Sequence, residues 1–247
     1  VSRIGEEREA FIRAHLKANI DPHFFPGKTI VKRRFVDRAF LHKLFEVAEL
    51  DDDRPDNLLM VEYLERACPQ YDIVVAADFG HGLIDHNIAR LIRRGARWLA
   101  VNTQTNSANM GFNLVTKYPS ADYVCLDELE ARLAYHDRGR PLDLIVGSLE
   151  VDLSCPVVAV TQGHQGSLVW AGKEAVRTPV LSREVVDRMG AGDAFLAATA
   201  PCVFSEMPLD EVAFVGNAAA ALKVKTVGNR ESLDAVALFK FITAMLK

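Results

Sequence analysis

The residues best suited to catalysis form one short segment, Val185-Val-Asp-Arg-Met-Gly-Ala-Gly-Asp193-Ala-Phe-Leu. In this segment the small-residue turn Gly190-Ala191-Gly192 leads directly into an apolar helix. Backbone N–H groups in such a turn can approach a ligand closely, and the positive end of the helix attracts anions such as phosphate oxygens. A carboxylate at the same place, Asp193, would repel a resident anion. It therefore indicates either a positioned base for an incoming hydroxyl or a simple helix cap, and the segment by itself leaves both open.

Two further segments could hold a ligand near that turn. Residues 157–170, Val-Val-Ala-Val-Thr-Gln-Gly-His-Gln-Gly-Ser-Leu-Val-Trp, predict a strand, a glycine turn and a second strand, and a plain hairpin is the simplest interpretation of them. Residues 217–228, Asn-Ala-Ala-Ala-Ala-Leu-Lys-Val-Lys-Thr-Val-Gly, predict a small-residue helix. Such a helix could lie under a flat adenine, or it could pack against a neighbouring helix in the ordinary way.

A framework for these segments is predicted from Asp53 onward, where short apolar strands alternate with helices. The strands are expected near 73–77, 98–101, 123–126 and 157–161, and three late helices near 194–204, 209–224 and 233–246. Such alternation is typical of an α/β fold with a mostly parallel sheet and helices on both faces. A first helix is expected over 5–19.

The stretch from 27 to 50 has a different pattern. β-Branched and aromatic residues alternate with basic ones, as in Thr29-Ile-Val-Lys-Arg-Arg-Phe-Val36, which predicts two or three strands with one apolar side and one wet side. The sequence therefore predicts a main α/β domain made of 1–26 and 51–247, with 27–50 forming a separate small β lid.

Bulk composition excludes several classes of protein. The chain has 247 residues, a net charge of -4 and a sequence pI near 6.0, so there is no general nucleic-acid footprint. The longest apolar runs are shorter than a membrane span requires. The four cysteines lie too far apart for a zinc site or a disulfide framework and are expected to be structural. A reducing cytoplasm is the expected setting.

Taken in chain order, the three segments resemble the C-terminal half of the ribokinase or PfkB family, which carries T-x-G-x-x-G, D-x-x-G-A-G-D and N-A-A-A-A motifs at similar separations. Other parts agree with the same family. Residues 72–82, Asp-Ile-Val-Val-Ala-Ala-Asp-Phe-Gly-His-Gly, look like its strand ending in D-Y-G-K-G, and Cys125-Leu-Asp-Glu-Leu-Glu130 looks like its N-x-x-E motif. Ile4-Gly5-Glu6 looks like V-G-x-D, and the basic strands after Lys28 look like the lid. The resemblance implies a ribokinase-like fold.

The resemblance also implies a role for each matched residue. Asp193 would be the catalytic base, with the backbone of Gly190, Ala191 and Gly192 as an anion hole. Residues expected to face ATP are Thr161, Gly163, Gly166, Asn217 and Gly228. Asp127 and Glu130 would organise Mg²⁺ through water, and Asp187, Met189 and Ser232 lie where many members hold a monovalent cation such as K⁺ by backbone carbonyls. Asp78, Lys32 and Arg34 would contact the substrate.

Within the family, three runs look most like the heptose-phosphate kinase branch: Lys32-Arg-Arg-Phe-Val-Asp-Arg38, Lys43-Leu-Phe-Glu46 and Asn102-Thr-Gln-Thr-Asn106. Members of that branch act in lipopolysaccharide core synthesis, and some are joined to a cytidylyltransferase-like domain. A sugar-phosphate substrate would suit the basic residues, although a solvated lid face is the simpler interpretation of them. Exposed lid edges favour a homodimer formed through the lids.

Departures from the family pattern leave alternatives open. Arg188 replaces the usual Thr, Asp127 the usual Asn and His81 the usual Lys. The family's opening strand and its G-G-x-x-x-N sugar-binding segment have no counterpart here, so we expect the chain as given to bind ATP but to phosphorylate sugars poorly. A non-catalytic nucleotide- or sugar-binding regulatory relative, or a nucleoside or vitamin kinase, would share the same motifs. A P-loop at Gly27-Lys28-Thr29 and a dinucleotide fingerprint at Gly80-x-Gly82 are both rejected, because the other glycines those motifs need are missing.

Overall fold

A six-stranded sheet lies at the centre of the computed structural model, which describes residues 1–37, 43–50, 57–182, 184–228 and 232–247. Its strands, in chain order, are β5 (Val74–Asp78), β6 (Leu99–Thr103), β7 (Tyr123–Asp127), β8 (Val157–Thr161), β9 (Ser167–Ala171) and β10 (Glu174–Thr178). They lie side by side in the order β10-β9-β8-β7-β6-β5. The strands β5 to β8 are parallel, as predicted, and β9 and β10 continue the sheet in antiparallel fashion.

Eight helices surround the described sheets. They are α1 (Glu6–His15), α2 (Leu58–Ala67), α3 (His86–Gly95), α4 (Glu128–Leu133), α5 (Leu142–Asp152), α6 (Ala191–Phe204), α7 (Leu209–Lys223) and α8 (Ala235–Met245). The helix α1 is shorter than predicted, because the chain turns extended at Leu16. No helix in the described ranges has both the length and the apolar character that a membrane crossing requires.

The strands β6, β7 and β8 are buried on both faces, which explains why they are nearly continuous apolar runs. Along β7, Val124 and Leu126 belong to one apolar cluster together with buried residues of α2, α3, α4 and α5. Tyr123 and Cys125 belong to a second cluster, which includes Phe195 of α6 and residues of α7. The alternation follows the two-residue period of a strand. It places α6 and α7 on the face opposite the earlier helices.

The lid is a separate two-stranded sheet. Its strands β3 (Val31–Val36) and β4 (Lys43–Glu49) pair antiparallel, and Phe35 stacks on Phe45 with ring centroids 4.3 Å apart. A second small sheet pairs β1 (Ser2–Ile4) with β2 (Phe24–Pro26) in parallel. The predicted lid boundary at 51 lies outside the described residues.

Candidate active site

A cleft of about 830 Å³ opens at the carboxyl ends of β6, β7 and β8 and is closed on its other side by α6 and α7. Most of the residues that the sequence assigned to catalysis, nucleotide or magnesium line it. These are Gly190, Ala191, Gly192, Asp193, Thr161, Gly163, Gly166, Asn217, Asp127 and Glu130. The carboxyl ends of parallel strands are the usual place for ligands in such sheets.

Asp193 lies in the first turn of α6 and faces this cleft. The helix is capped by Gly190, whose φ of 75° and ψ of 7° are left-handed values that suit glycine. No side chain caps the helix. The Asp193 Oδ1 instead accepts a hydrogen bond of 2.7 Å from Gln104 Nε2. The Asp193 side chain thus bonds across the cleft to Gln104, and its carboxylate faces the cleft.

The environment of Asp193 makes it a stronger base than an exposed aspartate. Burial raises the pKa of its carboxyl, while the hydrogen bond from Gln104 and the nearby positive charge of Lys223 partly oppose that rise. A carboxylate with a raised pKa holds a transferred proton more readily, so its basicity suits the abstraction of a hydroxyl proton.

Asp127 and Glu130 form a capping box at the start of α4. Asp127 Oδ1 accepts from Leu129 N at 2.8 Å, and Glu130 Oε2 accepts from Asp127 N at 2.8 Å. The other oxygen of Glu130 accepts from Thr105 N at 2.9 Å. Burial raises the pKa of Glu130 to about 7 in spite of these two N–H donors, which favour the charged form. Each oxygen of Glu130 thus accepts one backbone N–H group.

The donor set around this box fits a hard cation such as Mg²⁺, which prefers oxygen ligands and usually shares them with substrate phosphates. Among the described residues, two buried side-chain oxygens in this region have no hydrogen-bond partner, Asn102 Oδ1 and Thr105 Oγ1. Asn102 also lines the cleft. No group of three or more His, Cys, Asp or Glu side chains converges on a metal position within the described ranges. A magnesium ion would therefore depend on phosphate oxygens as well as on the protein.

The turn between β8 and β9 is fixed by close packing. Gly166 has a φ of 98°, and any Cβ at that position would overlap the carbonyl oxygen of Thr178 in β10. Asn217, in the middle of α7, donates to Ser167 Oγ at 2.6 Å and to Ala213 O at 2.8 Å. The turn that contains Gly163 is thereby held between β10 and α7, on one wall of the cleft.

The predicted cation residues lie in two turns joined by Asp187. Its Oδ1 accepts from Met189 N at 3.0 Å and its Oδ2 from Gly228 N at 2.8 Å. Gly228 O in turn accepts from Lys223 Nζ at 2.8 Å. The carboxylate of Asp187 therefore ties the two turns together. Ser232 is described, but residues 229–231 between it and Gly228 are not.

The three predicted substrate residues do not line the main cleft. Asp78 is 3% exposed and forms a 2.5 Å ion pair with Lys117. It also borders a second cavity of about 130 Å³ that lies next to Lys28 and His81. Arg34 pairs with Glu46 across the lid at 2.6 Å and reaches Met189 Sδ. Burial lowers the pKa of His81, and the positive charge of Lys32 lowers it further, so the lid and the core come close here.

Sequence reasoning missed Gln104 and the asparagines behind it. The segment Asn102-Thr-Gln-Thr-Asn106 was interpreted only as similar to one branch of the family. No local sequence pattern predicts that Gln104 contacts a residue on α6. The available signal was the density of amide side chains after a buried strand, at Asn102, Gln104, Asn106, Asn109 and Asn113.

Fold and site together define a ribokinase-like α/β protein with a carboxylate and a small-residue turn in one cleft. Two solved structures share this fold. Ribokinase from Thermotoga maritima superposes with a TM-score of 0.77 at 18% identity, covering 98% of this chain and 80% of that one. Phosphofructokinase-2 from Escherichia coli, in complex with substrates and products, has a TM-score of 0.77 at 13% identity, covering 100% and 81%.

The chain belongs to the pfkB family of carbohydrate kinases, whose sequence profile matches residues 61–236. Among curated relatives, the bifunctional protein HldE of Azotobacter vinelandii is 24% identical over 237 residues, which are 92% of this chain and 48% of that protein. The HldE protein of Aeromonas salmonicida is 26% identical over 205 residues, covering 81% and 42%. The chain thus spans less than half the length of these relatives.

Proposed function

We propose that this chain is the kinase part of an ATP-dependent phosphotransferase that acts on a hydroxyl of a sugar or sugar phosphate. The observation that carries the proposal is the position of Asp193. Its carboxylate lies in the cleft beside the Gly190-Ala191-Gly192 turn and is bonded to Gln104 instead of capping its helix. Membership of a carbohydrate kinase family supports the class of reaction.

In the proposed reaction, Asp193 accepts the proton of the substrate hydroxyl while that oxygen attacks the γ-phosphorus of ATP. The bond from the γ-phosphorus to the oxygen that bridges it to the β-phosphate breaks, and ADP leaves with the electron pair. Backbone N–H groups of the turn before Asp193 would stabilise the charge on the transferring phosphoryl oxygens. Positioning and electrostatics supply most of the rate in such transfers.

The nucleotide would lie along the opposite part of the same cleft. We assign its base and ribose to the wall formed by Thr161, Gly163, Gly166 and Asn217, with Gly228 in the adjoining turn. Mg²⁺ would be held by the phosphates, with Asp127 and Glu130 acting through water; it would neutralise phosphate charge. We also propose that backbone carbonyls near Asp187, Met189 and Ser232 bind a K⁺ ion.

For the acceptor we propose a phosphorylated sugar, and heptose 7-phosphate as its first candidate. Support comes from the sequence resemblance to the heptose-phosphate kinase branch and from the basic lid residues Lys32 and Arg34, which could face a phosphate. The Asp78 carboxylate is bonded to Lys117 and Tyr118. Asp78 would therefore support the substrate site indirectly, by fixing the backbone at the end of β5. Because the matched relatives are bifunctional proteins about twice the length of this chain, we propose that the whole protein carries a second domain, and the resemblance to the heptose-phosphate kinase branch makes a nucleotidyltransferase the first candidate for it.

The test is ADP release by the full-length protein across a panel of sugars, sugar phosphates and nucleosides. With the best acceptor, Asp193→Asn should lower kcat by roughly 10²- to 10⁴-fold, the usual contribution of a positioned general base. Its affinity for ATP should stay the same or improve, because a negative charge near the phosphates is lost. Asp210→Asn is the matched control: it removes an exposed carboxylate from the first turn of α7 and should leave kcat unchanged. Near-normal turnover by Asp193→Asn would refute the assignment.

A further inference from the structure

Gln104 is the first residue after β6, and its side chain joins the end of that strand to the start of α6. The bond from Gln104 Nε2 to Asp193 Oδ1 measures 2.7 Å and is partly buried. An ionised carboxylate can only accept hydrogen bonds, so the amide nitrogen has to be the end that faces Asp193. The contact therefore orients both side chains.

The backbone of Gln104 is fixed by three hydrogen bonds. Its N–H donates to Asp78 O at 2.8 Å. Its carbonyl oxygen accepts from Asn109 Nδ2 and from Asn113 Nδ2, each at 3.2 Å. These two asparagines are 6% and 5% exposed. Buried amides whose bonds are satisfied rigidify the groups they contact, so Gln104 has little freedom to move away from the cleft.

Asn109 ties this carbonyl to the turn that follows β5. Its Nδ2 also donates to Phe79 O at 3.1 Å and to Gly80 O at 3.2 Å, and its Oδ1 accepts from Asn106 N at 2.8 Å. A Cβ added at Gly80 would overlap the Asn109 amide. The turn after β5 is thus shaped around the Asn109 side chain.

Asn113 ties the same carbonyl to a buried charge pair. Its Nδ2 donates to Asp78 O at 2.9 Å, and its Oδ1 accepts from Lys117 Nζ at 2.6 Å. Lys117 is bonded to the Asp78 carboxylate and, at 2.7 Å, to Ile84 O. Tyr118 completes the cluster with a 3.1 Å bond to Asp78 Oδ2. The predicted substrate residue Asp78 is therefore an anchor of this network.

We propose that Gln104 is the positioning residue for Asp193, and that Asn109 and Asn113 form the scaffold that holds Gln104 in place. The proposal rests on the proposed function, since it acts through the base assigned there. A neutral donor fixes the direction of a carboxylate without cancelling its charge, whereas a cation at the same distance would weaken it as a base. Misplacement of a catalytic group by about 1 Å can cost about 10²-fold in rate, so a fixed carboxylate matters.

Other charged groups also act on Asp193. Lys223 of α7 lowers its pKa, and the carboxyl of Glu130 on α4 and the thiol of Cys125 on β7 are close enough to interact with its charge. Arg188, in the turn before α6, lines the same cleft. These groups stay constant when Gln104 is changed, so a difference between Gln104 variants reports on the amide itself.

The kinetic test compares Gln104→Ala and the nearly isosteric Gln104→Glu with the full-length wild type, using the best acceptor from the panel. We expect Gln104→Ala to lower kcat by about 10- to 100-fold with less change in the KM for ATP. The midpoint of the acidic limb of the kcat profile should move to higher pH in Gln104→Ala, and further in Gln104→Glu, because a second carboxylate raises the pKa of the first. As a control, Asn87→Ala removes an exposed amide from α3 and should change neither kcat nor the midpoint of the acidic limb.

A second measurement gives the pKa of Asp193 without any turnover. Protein labelled with ¹³C at aspartate carboxyls is titrated by NMR, and Asp193→Asn identifies the resonance that belongs to Asp193. We expect the midpoint of that resonance to rise from wild type to Gln104→Ala and again to Gln104→Glu. Thermal unfolding of each variant confirms that it is folded.

The two measurements separate the possible failures. An unchanged Asp193 midpoint in both folded variants would overturn the role of Gln104, and so would a fall in kcat with no movement of the acidic limb. Neither result touches the proposed function. Turnover that survives in Asp193→Asn would instead refute the proposed function, whatever the Gln104 variants do.

Discussion

Burial of the Asp193 carboxyl disfavours its charged form, and a measurement of stability against pH can detect this cost. Burial raises its pKa, so ionisation is less favourable in the folded chain than in the unfolded one. Below the ordinary aspartate pKa of about 4, both states carry the proton and no penalty exists. As pH rises from about 4 towards the raised pKa of the folded state, the unfolded state loses its proton first and the folded state becomes relatively less stable, and above that raised pKa the penalty is constant.

We therefore expect Asp193→Asn to be more stable than the wild type, by a margin that grows as pH rises from about 4. The asparagine keeps an oxygen that can accept from Gln104, so the variant loses the charge but not the contact. Thermal unfolding in nucleotide-free and metal-free buffer at a series of pH values measures the margin. A margin that is constant with pH, or that shrinks as pH rises, would contradict the assignment of a buried, raised-pKa base.

At the scale of elements, the packing of α6 against α7 depends on a missing side chain. A Cβ at Gly216 of α7 would overlap the ring of Phe195 on α6, which is 1% exposed. Gly216→Ala should therefore lower the free energy of unfolding by about 1–3 kcal/mol, the usual cost of overpacking a core.

Gly147 of α5 offers the matched control, because it is also inside a helix. Its added Cβ would lie 3.7 Å from Trp170, an ordinary contact. Gly147→Ala should be neutral or stabilising by about 0.5–1 kcal/mol, since alanine restricts the unfolded chain and favours the helix. Urea unfolding of both variants tests the pair. Equal effects at the two positions would show that helix propensity, rather than the Phe195 contact, decides the outcome.

The lid presents apolar side chains that the described part of the chain leaves exposed. Leu44 is 65% exposed, and Phe35 and Phe45 are 46% and 54% exposed. We propose that these residues contact the lid of a second copy in a homodimer. Phe45→Lys should then shift the protein from dimer to monomer in light scattering, whereas Phe239→Lys on α8, another exposed phenylalanine, should not. A wild-type monomer at assay concentration would rule out this interface.

For the whole molecule, ligand linkage gives a test that requires no catalysis. A ligand that binds the folded state stabilises it in proportion to the logarithm of its concentration, by about 2.7 kcal/mol at one hundred times its Kd. Mg²⁺ with a non-hydrolysable ATP analogue should raise the Tm of the wild type, and that of Asp193→Asn by at least as much, because the nucleotide wall does not include the carboxylate and its charge repels the phosphates. Gly166→Ala, which displaces that wall from Thr178, should abolish most of the shift. If the ligand still raises the Tm of Gly166→Ala as much as that of the wild type, the nucleotide must bind at another site.

A feature of the fold or of the candidate site could be predicted from the sequence when the residues that determine it are close together in the chain. The strands β5 to β8 were predictable because each is a short apolar run, and the position of Asp193 in the cleft was predictable because its glycines precede it in the chain. The bond between Gln104 and Asp193 was not, since it joins the end of β6 to the start of α6. The burial of Asp78 was missed for the same reason: its partner Lys117 ends a short 3₁₀ helix, Val115–Lys117, whose sequence has no pattern that points to the strand.

The two kinds of strand connection have a consequence for the order in which the molecule folds. The strands β8, β9 and β10 are joined by short turns, with Thr161 opposite Ser167 and Ala171 opposite Glu174, and α6 packs on its sequence neighbour α7. The parallel pairs join residues that are far apart, as Tyr123 and Val157 are. Contacts between near neighbours close with less loss of chain entropy, so they form sooner. The part of the chain that carries β8 to β10, α6 and α7 should then become structured before β5 to β7 join the sheet, so a part synthesised later would organise a part synthesised earlier.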